Sequence, residues 1–370
     1  MRTRNLARLV AALGVLAGLG WATGAEGQGL VIPSAGPINS AMGGASTAAP
    51  VDFGSSYWNP AAISGLERSE FLLGSGLTIP SIHFRTTLPA GSVGGVFPST
   101  SRTGTSRSNS GVASNLATGT AFRLDDDSPW TFGIGIFGLA GGGVNFAGSN
   151  TQPLLTPRNP PRTFGVGPIY SSLSTLAITP MASFQATDRL AVAAGPIITS
   201  TGASFSPAFF APNPRDGFGL AGFPAATNYR PFWGAGFQVG LLYNVNEDWN
   251  FGFSYKSPIY QERWSYNAAN RDNSARYIGV QAGLPQIYSW GVAYKGFDRA
   301  LIDVDLRYID YDHAPLFGQS VRDGGLGWRS VFAVATGGQY RLSDKLTLRA
   351  GYLFNTAEIL AIQPETRGLV

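Results

Sequence analysis

The chain carries few of the residues that catalysis or metal binding usually requires. It contains no cysteine, which excludes disulfides, thiolate nucleophiles and cysteine-ligated metal sites. Its two histidines, His83 and His313, lie far apart in the sequence, so we do not expect them to share a metal ion. The residue types therefore predict no enzymatic activity, no metal and no cofactor.

The glycine-rich run Gly133–Gly143 has the composition of a phosphate-binding loop. It lacks the Lys-Ser/Thr pair that reaches phosphates and Mg²⁺, and no amphipathic helix follows it. Glycine alternates there with isoleucine and phenylalanine, which predicts a strand instead. Gly133 and Gly135 would then share one face and leave room for another part of the chain. The acidic run Asp125–Asp127 before it is typical of a solvated turn.

The segment Thr201–Trp233 suggests a different chemistry, the capture of apolar ligands by a long loop. Its candidate ligand-binding residues are Phe205, Phe209, Phe210, Phe218, Phe223, Tyr229, Arg215 and Arg230. Large apolar patches on a surface usually mark binding sites, and arginine pairs well with a carboxylate. Alternatively, the aromatic side chains pack on one another and only stabilise the loop. The sequence leaves both interpretations open.

The N-terminus has the pattern of an export signal. Basic residues among the first eight precede a short apolar run, Leu9–Gly20, and small residues follow near Gly27. A membrane-spanning helix needs about 20 apolar residues, so this run is too short to be one. We predict a signal peptide over residues 1–27. Its removal takes away three arginines and Glu26 and lowers the formal charge from +4 to +2, a balance that argues against nucleic-acid binding.

A repeated turn pattern organises the rest of the chain. Five times an apolar strand ends in an aromatic residue, meets a short polar turn and restarts as an apolar strand. The aromatic residues before the turns are Phe122, Phe184, Tyr243, Tyr294 and Tyr340. Asp, Asn and Ser suit tight turns because they hydrogen-bond their own backbone. The turns recur every 50 to 60 residues or so, a period that holds two strands and one longer loop.

The strands beside these turns alternate between apolar and polar residues. One such strand places Ile302, Val304, Leu306 and Tyr308 on one face and Asp303, Asp305 and Arg307 on the other. Alternation alone also fits a soluble sandwich with one wet face. Strands of about ten residues, aromatic ends, short turns at one end and an export signal together favour an outer-membrane barrel. Lipid would contact the apolar face, so Val304→Arg should destabilise the barrel and Asp305→Asn should cost far less.

The turns also give a strand count. A first strand near residues 69–79 and a pair of strands around each turn make eleven, the last near residues 345–355. No unpaired edge is stable in hydrocarbon, and bacterial single-chain barrels normally have an even number of strands. We therefore expect that residues 1–370 are a C-terminally truncated version of a larger barrel.

Several stretches resemble a known family. "AMGGA" (residues 41–45) followed by "YWNPAAISGL" (57–66) resembles the N-terminal plug of the FadL family of outer-membrane hydrophobic-compound transporters, which includes TodX-type aromatic hydrocarbon channels. "YNVNEDWNFGFSYKSPI", "LPQIYSWGVAYK" and "YRLSDKLTLRAGYLFN" resemble strands and hairpins of its barrel, in the same order. The resemblance covers nearly the whole chain after the signal peptide.

The resemblance implies an all-β fold, a transmembrane antiparallel barrel of the 14-stranded type with an N-terminal hatch, here truncated after about 11 strands. Residues 28–67 would form the hatch and residues 68–370 the barrel. The candidate hatch motif comprises Asn59, Pro60, Ala61, Gly43 and Gly44. Glycine lets the backbone approach other groups closely, and an asparagine side chain can satisfy buried backbone groups. The alternative is an ordinary turn before the first strand.

The expected function is passive import of hydrophobic small molecules, long-chain fatty acids or aromatic hydrocarbons, across the outer membrane. The resemblance implies a sideways opening at a distorted third strand. The alternatives are a non-transport barrel, such as a lipase or an adhesin, and a general porin. We expect a monomer that contacts outer-membrane lipid, lipopolysaccharide and the barrel-assembly machinery, and that binds no nucleic acid.

Overall fold

The computed structural model describes residues 28–91, 98–125, 127–159, 162–214, 222–227 and 230–357. The predicted all-β class is confirmed. Within these residues the one α-helix is α1 (Pro37–Ala41). Short 3-10 turns cover Phe53–Tyr57, Pro60–Gly65, Pro153–Leu155, Tyr311–His313 and Val321–Asp323. In this described part, no helix has the length and apolar character needed to cross a membrane.

The strands are β1 (Glu70–Thr78), β2 (His83–Leu88), β3 (Arg102–Arg107), β4 (Ala113–Arg123), β5 (Trp130–Phe146), β6 (Arg158–Asn159), β7 (Thr163–Phe164), β8 (Ile169–Thr187), β9 (Leu190–Ser206), β10 (Phe232–Asn244), β11 (Trp249–Lys256), β12 (Ile259–Gln261), β13 (Trp264–Ala269), β14 (Ala275–Val280), β15 (Gly283–Leu284), β16 (Gln286–Phe297), β17 (Ala300–Asp310), β18 (Val331–Ser343) and β19 (Leu346–Asn355).

Eleven long strands form one antiparallel wall. Their order is β1-β4-β5-β8-β9-β10-β11-β16-β17-β18-β19, with the short strands β12 and β15 attached beside it. The predicted count of eleven wall strands is confirmed. The separate hairpins β2–β3, β6–β7 and β13–β14 all lie between wall strands, at the end opposite the short turns.

The predicted turns lie at one end of the wall. Only Asp188 and Arg189 separate β8 from β9, and only Asp344 and Lys345 separate β18 from β19. Aromatic side chains stack across neighbouring strands beside these turns. The ring centroids of Trp130 and Phe184 are 4.8 Å apart, and those of Trp249 and Tyr294 are 4.7 Å apart. This rim matches the aromatic belts that lie at membrane interfaces.

The two faces of the wall differ as the alternation predicts. On β17, Val304 and Leu306 are 44% and 45% exposed on the convex face. Asp303, Asp305 and Arg307 are fully buried on the concave face. Residues 28–67, which we call the inner segment, pack against this concave face.

The inner segment also contacts β1 and β19, the two edge strands of the wall. Helix α1 and the residues beside it lie between β1 and β19, and a Cβ at Gly74 on β1 would be 2.9 Å from Pro37. On β19, a Cβ at Gly351 would be 2.0 Å from the carbonyl carbon of Met42. Glycine is therefore required where the wall and the inner segment meet most closely.

The boundary of the predicted Thr201–Trp233 loop is wrong at its beginning. Strand β9 continues to Ser206, so Phe205 lies on a strand rather than in the loop. β9 extends this far because its last residues pair with β8. Ser171 of β8 lies opposite Phe205, and the backbone of Ala226 forms a bridge to Phe205 as well. A single sequence shows the aromatic residues but not these partners.

Candidate functional site

The core of the inner segment is a cluster of aromatic side chains. Phe53, Tyr57 and Trp58 are at most 2% exposed. The ring of Tyr57 lies 5.5 Å from that of Phe137 on β5, edge to face, and Phe53 stacks on the same ring at 6.0 Å. Gly133 on the same strand leaves room for them, since a Cβ there would be 3.3 Å from Phe53. The apolar core of the chain is therefore shared between the inner segment and the wall.

Gly43 and Gly44 hold the inner segment close to its surroundings. Their φ angles are 65° and 85°, in the left-handed region that side chains disfavour. A Cβ at Gly43 would be 2.6 Å from the backbone nitrogen of Tyr352 on β19. A Cβ at Gly44 would be 2.3 Å from the carbonyl oxygen of Pro33. Both positions need glycine for conformation and for space.

Asn59 joins three parts of the backbone. It is fully buried, and its Nδ2 donates to the carbonyl oxygens of Thr47 at 2.8 Å and of Leu241 on β10 at 2.9 Å. Its Oδ1 accepts from the Ala61 N–H at 3.0 Å, which caps the turn that begins at Pro60. One side chain thus fixes the fold of the inner segment and attaches it to the wall.

Pro60 and Ala61 pack directly on the wall. A Cβ at Gly240 would be 2.9 Å from the Pro60 ring. Ala61 belongs to a small buried apolar cluster with Ala191, Ala193 and Leu242 of strands β9 and β10. The Asn-Pro-Ala motif therefore contacts the wall through both polar and apolar groups.

A buried ion pair on β17 makes hydrogen bonds to the backbone of the inner segment. The sequence did not predict these contacts. Asp305 accepts hydrogen bonds from the backbone N–H groups of Ser46 at 3.0 Å and Thr47 at 3.1 Å. Arg307 donates to Asp305 at 2.6 Å and also to the carbonyl oxygen of Gly44. The Arg307 guanidinium lies 3.7 Å from the centroid of the Trp58 ring. We call Asp305 and Arg307 the clamp.

The beginning of the inner segment is held by Tyr311. The Tyr311 hydroxyl accepts from the N–H groups of Leu30 at 2.8 Å and Val31 at 3.1 Å, and donates to the Gln28 carbonyl at 3.2 Å. Tyr311 lies just beyond β17, at the end of the wall opposite the short turns. It therefore links the loop between β17 and β18 to the inner segment.

Residues 30–32 of the inner segment also pair with β5, the third strand of the wall. Ile32 donates to the Leu139 carbonyl at 3.0 Å, and Gly141 donates to the Leu30 carbonyl at 2.9 Å. The register between β5 and β8 shifts between Gly138 and Ala140, so Leu139 forms a bulge there. A bulge bends a strand and locally interrupts its ladder. The inner segment attaches at the irregular point of the wall.

A cavity of about 860 Å³ lies beside this bulge. It is lined by residues 28–33 of the inner segment, by the external halves of β5 and β8, and by the end of β19. Apolar side chains such as Leu30, Leu173 and Phe354 contribute to it. Small-molecule sites typically span about 300–1,000 Å³, so the cavity is large enough for a ligand.

One buried cation lies deeper on the concave side. Lys256, at the end of β11, is 5% exposed, and its Nζ donates to Gln238 Oε1 at 3.0 Å. The ring centroid of Tyr57 is 5.6 Å from the same Nζ. Two cavities of about 10 Å³ each flank Lys256, one beside Phe137 and one beside Ile287. A volume of this size holds about one water molecule.

Phe205 and Phe210 of the proposed capture loop lie in a packed aromatic cluster. The Phe205 ring is 5.7 Å from Phe210 and 6.2 Å from the buried Trp264. Phe210 also lies 6.2 Å from the buried Tyr266 of the β13–β14 hairpin. These contacts favour the packing interpretation for Phe205 and Phe210.

Phe209 and Phe223 form a second, more accessible pair. Their ring centroids are 5.1 Å apart, and Phe209 is 45% exposed. A ligand could reach Phe209 from solvent, with the half-buried Phe223 packed beside it. Phe218, Tyr229 and Arg215 lie outside the described residues.

Arg230 is held by a carboxylate of the chain itself. Its guanidinium makes two hydrogen bonds to Glu262, at 2.6 and 2.8 Å, and lies 5.4 Å from the Phe232 ring. The hydrogen bond from Arg230 is the main reason that the pKa of Glu262 falls to about 2. Arg230 therefore stabilises the external loops and is poorly placed to bind the head group of a ligand. Within the described part of the chain, no cluster of acidic or histidine side chains could hold a metal ion.

The comparisons with known proteins agree with this geometry. The toluene transporter TbuX of Ralstonia pickettii shares the fold with a TM-score of 0.62 at 19% identity, covering 88% of this chain and 87% of that chain. A FadL homologue of Pseudomonas aeruginosa gives a TM-score of 0.63 at 16% identity, covering 90% of this chain and 82% of that chain.

Sequence comparison gives relatives and a family. Outer membrane protein P1 of Haemophilus influenzae is 25% identical over 138 residues, which are 35% of this chain and only 30% of the length of that protein. The sequence model of the outer membrane protein transport family (OMPP1/FadL/TodX) matches residues 16–367. This chain therefore belongs to the OMPP1/FadL/TodX family of outer membrane protein transport proteins.

Proposed function

We propose that this protein imports hydrophobic small molecules passively across the outer membrane, with the inner segment acting as a hatch. The observation that carries the proposal is the filled concave side of the wall. The clamp and Asn59 attach the inner segment there, and a cavity of about 860 Å³ remains between its first residues and β5. An apolar compound that packs on the apolar side chains of this cavity reduces its exposure to water, which costs roughly 25 cal/mol per Å² of apolar area.

The proposed route runs from the external loops to the cavity and then sideways through the wall. Phe209 and Phe223 would provide the first apolar contact, because Phe209 is exposed and the two rings pack together. The bulge at Leu139 is the proposed exit, since the ladder between β5 and β8 is interrupted there. Residues 30–32 bond to the bulged strand, so their displacement would free the exit.

The burial of Lys256 supports a proposal about the substrate class. A buried ammonium with a single amide oxygen nearby is a costly arrangement, and a carboxylate would pair with it favourably. We therefore propose acidic hydrophobic substrates, such as long-chain fatty acids. Neutral aromatic hydrocarbons are the second candidate, favoured by the shared fold with the toluene transporter TbuX.

Uptake by liposomes containing the purified protein separates the two candidates. The test compares a long-chain fatty acid, the alcohol of the same chain length and toluene, in wild type and in Lys256→Met. The variant should import the fatty acid at least tenfold more slowly, because it removes the cation and preserves side-chain volume, while the alcohol and toluene are unaffected. Lys295→Met is the matched control, since Lys295 lies exposed near the end of β16, beside the short turn to β17.

Two results would overturn these proposals separately. Equal fatty-acid uptake by wild type and Lys256→Met would reject the acidic substrate and leave neutral compounds. Rapid, unselective uptake of sugars and salts by wild type would indicate a general porin and reject the hatch. A monomeric state, contact with lipopolysaccharide and insertion by the barrel-assembly machinery belong to the same proposal.

A further inference from the structure

The external loops of this protein have an uneven charge distribution. The loops after β1 and after β5, residues 79–112 and 147–168, contain no aspartate or glutamate. Their cationic residues are Arg85, Arg102, Arg107, Arg158 and Arg162, and the first loop also contains His83. Each of the remaining external loops, residues 207–231, 257–285 and 311–330, contains at least one acidic residue. One side of the external surface is therefore cationic and the other is mixed.

The first of these loops contains the β2–β3 hairpin, whose inner face is fixed to the wall. The ring of Phe84 packs on that of Phe146 at the end of β5, with centroids 5.4 Å apart. Asn145 donates to the Ser108 hydroxyl at 2.9 Å and accepts from the Asn109 N–H at 2.8 Å. These contacts attach the hairpin to the end of β5 and fix its orientation.

The outer face of the hairpin presents its cations to solvent. His83 lies directly opposite Arg107, and Arg85 lies opposite Thr105 on the same face. These four side chains are exposed. Neighbouring side chains on one face of a hairpin are about 5–8 Å apart, so the two guanidinium groups can reach one anion.

No acidic side chain in the described part of the chain pairs with the arginines of this face. Among the described residues, neither Arg85 nor Arg107 makes a hydrogen bond or an ion pair with its side chain. Like charges placed close together in a sheet are destabilising. An anion at this face would therefore meet two guanidinium groups that have no partner within the described structure.

The hairpin stands at the edge of the lipid-facing band. Leu77 and Ile79, at the external end of β1, are 72% and 79% exposed, and Val112 before β4 is 60% exposed. His83 follows Ile79 by four residues, which span at most about 14 Å of extended chain. The cations therefore lie at the depth where the phosphate groups of the external lipid begin.

We infer that the outer face of the β2–β3 hairpin binds the phosphate groups of lipopolysaccharide in the external leaflet. Arginine is suited to this role because its planar guanidinium makes paired hydrogen bonds to phosphate oxygens. The hydroxyls of Thr87 and Thr103, 2.9 Å apart on the same face, can donate to the same phosphates. The inference rests on the contact with lipopolysaccharide that is part of the proposed function, but not on the substrate or on movement of the hatch.

Binding of lipid A to the purified protein tests the inference. The probes are bisphosphorylated lipid A and the same lipid after enzymatic removal of both phosphates. Wild type should bind the phosphorylated form at least tenfold more tightly, and Arg85→Gln/Arg107→Gln should lose about tenfold of that affinity. Arg85→Lys/Arg107→Lys should fall between them, because it keeps the charge and loses the paired hydrogen bonds.

A matched control removes two charges from the mixed side. Arg263 and Arg329 lie in the external loops there, so Arg263→Gln/Arg329→Gln should bind lipid A like wild type. Folding is checked by the shift in gel mobility on heating, which the exposed substitutions should preserve.

Three outcomes would overturn the inference. The first is equal affinity of wild type for the two forms of lipid A. The second is an equal loss of affinity in the control. The third is unchanged lipid A binding by Arg85→Gln/Arg107→Gln together with slower fatty-acid uptake, which would mean that the face attracts anionic substrates instead.

Discussion

Replacement of Asn59 by alanine should loosen the inner segment without disturbing the wall. The substitution removes three hydrogen bonds, to Thr47, Leu241 and Ala61, at 2.8 to 3.0 Å. A hydrogen bond contributes about 1 kcal/mol net, and a buried group left without its partner costs about 1–3 kcal/mol. We expect the free energy that holds the inner segment in place to fall by about 3 kcal/mol.

A change of this size has a measurable consequence. Each 1.4 kcal/mol or so corresponds to a factor of ten, so the open fraction should rise about 100-fold. The assay is single-channel conductance in a planar bilayer, which counts brief openings to small ions. Asn246→Ala is the matched control, because the Asn246 side chain serves only the exposed turn before Trp249.

The result that would refute this reasoning is specific. If Asn59→Ala and wild type open equally often, while both insert and fold normally, then Asn59 does not hold a hatch. Openings that rise equally in Asn246→Ala would show that conductance reports general instability of the barrel rather than release of the inner segment.

Three further predictions concern the wall and the external loops. Val304→Arg should lower the free energy of unfolding by about 2–4 kcal/mol, measured by urea titration in lipid vesicles, since Val304 faces lipid; no loss would contradict its placement. Phe209→Ala/Phe223→Ala should slow apolar uptake and preserve assembly, and unchanged uptake would remove this pair from the route. The pKa of Glu262 is lowered from 4.5 to about 2, so its pairing with Arg230 stabilises the external loops above pH 4.5, and this contribution is lost as the pH falls toward 2. The loops should therefore resist protease equally at pH 7 and pH 5, and sensitivity that already rises between these two values would contradict the prediction.

Local patterns made the wall predictable from the sequence. Each strand shows its own two-residue alternation, and each turn shows its own polar residues, so the eleven strands could be counted without a partner in view. The glycines and Asn59 of the hatch motif stood out for a similar reason, since their residue types have few uses other than tight turns and close contacts.

The clamp could not be predicted because its partners are distant in the chain. Asp305 and Ser46 are 259 residues apart, and alternation places Asp305 in the lumen without saying what it contacts there. The sequence-based expectation that Asp305→Asn costs far less than Val304→Arg leaves these contacts out of account. Asp305 is a buried partner of Arg307, and removing one member of a buried ion pair typically costs about 3–5 kcal/mol.

Lys256 illustrates the same limit. The alternation of β11 puts it on the polar face with Asn250 and Ser254, and a lumen filled with water would keep it solvated. Its burial follows only from the position of Tyr57, nearly 200 residues earlier. In the same way, Phe205 looks exposed in the sequence because its partner Trp264 comes from a different loop.

The central claim is that the first residues of the inner segment must leave β5 for apolar compounds to pass. Val31 and Ala140 face each other in an antiparallel pair, and the neighbouring residues make the backbone hydrogen bonds. Such a pair brings two Cα atoms to about 4.5–5.5 Å, the separation that a disulfide spans. Because the chain has no other cysteine, Val31→Cys/Ala140→Cys can form only this bridge within one molecule.

The decisive measurement is apolar uptake by this double variant in its oxidised and reduced forms. Thr87→Cys/Thr103→Cys is the control, since its bridge would lie on the β2–β3 hairpin away from the route. We predict that oxidation of Val31→Cys/Ala140→Cys lowers uptake at least tenfold, that reduction restores it, and that the control transports equally in both forms. Equal uptake by the oxidised and reduced forms of Val31→Cys/Ala140→Cys, with the bridge shown to be complete, would contradict the account.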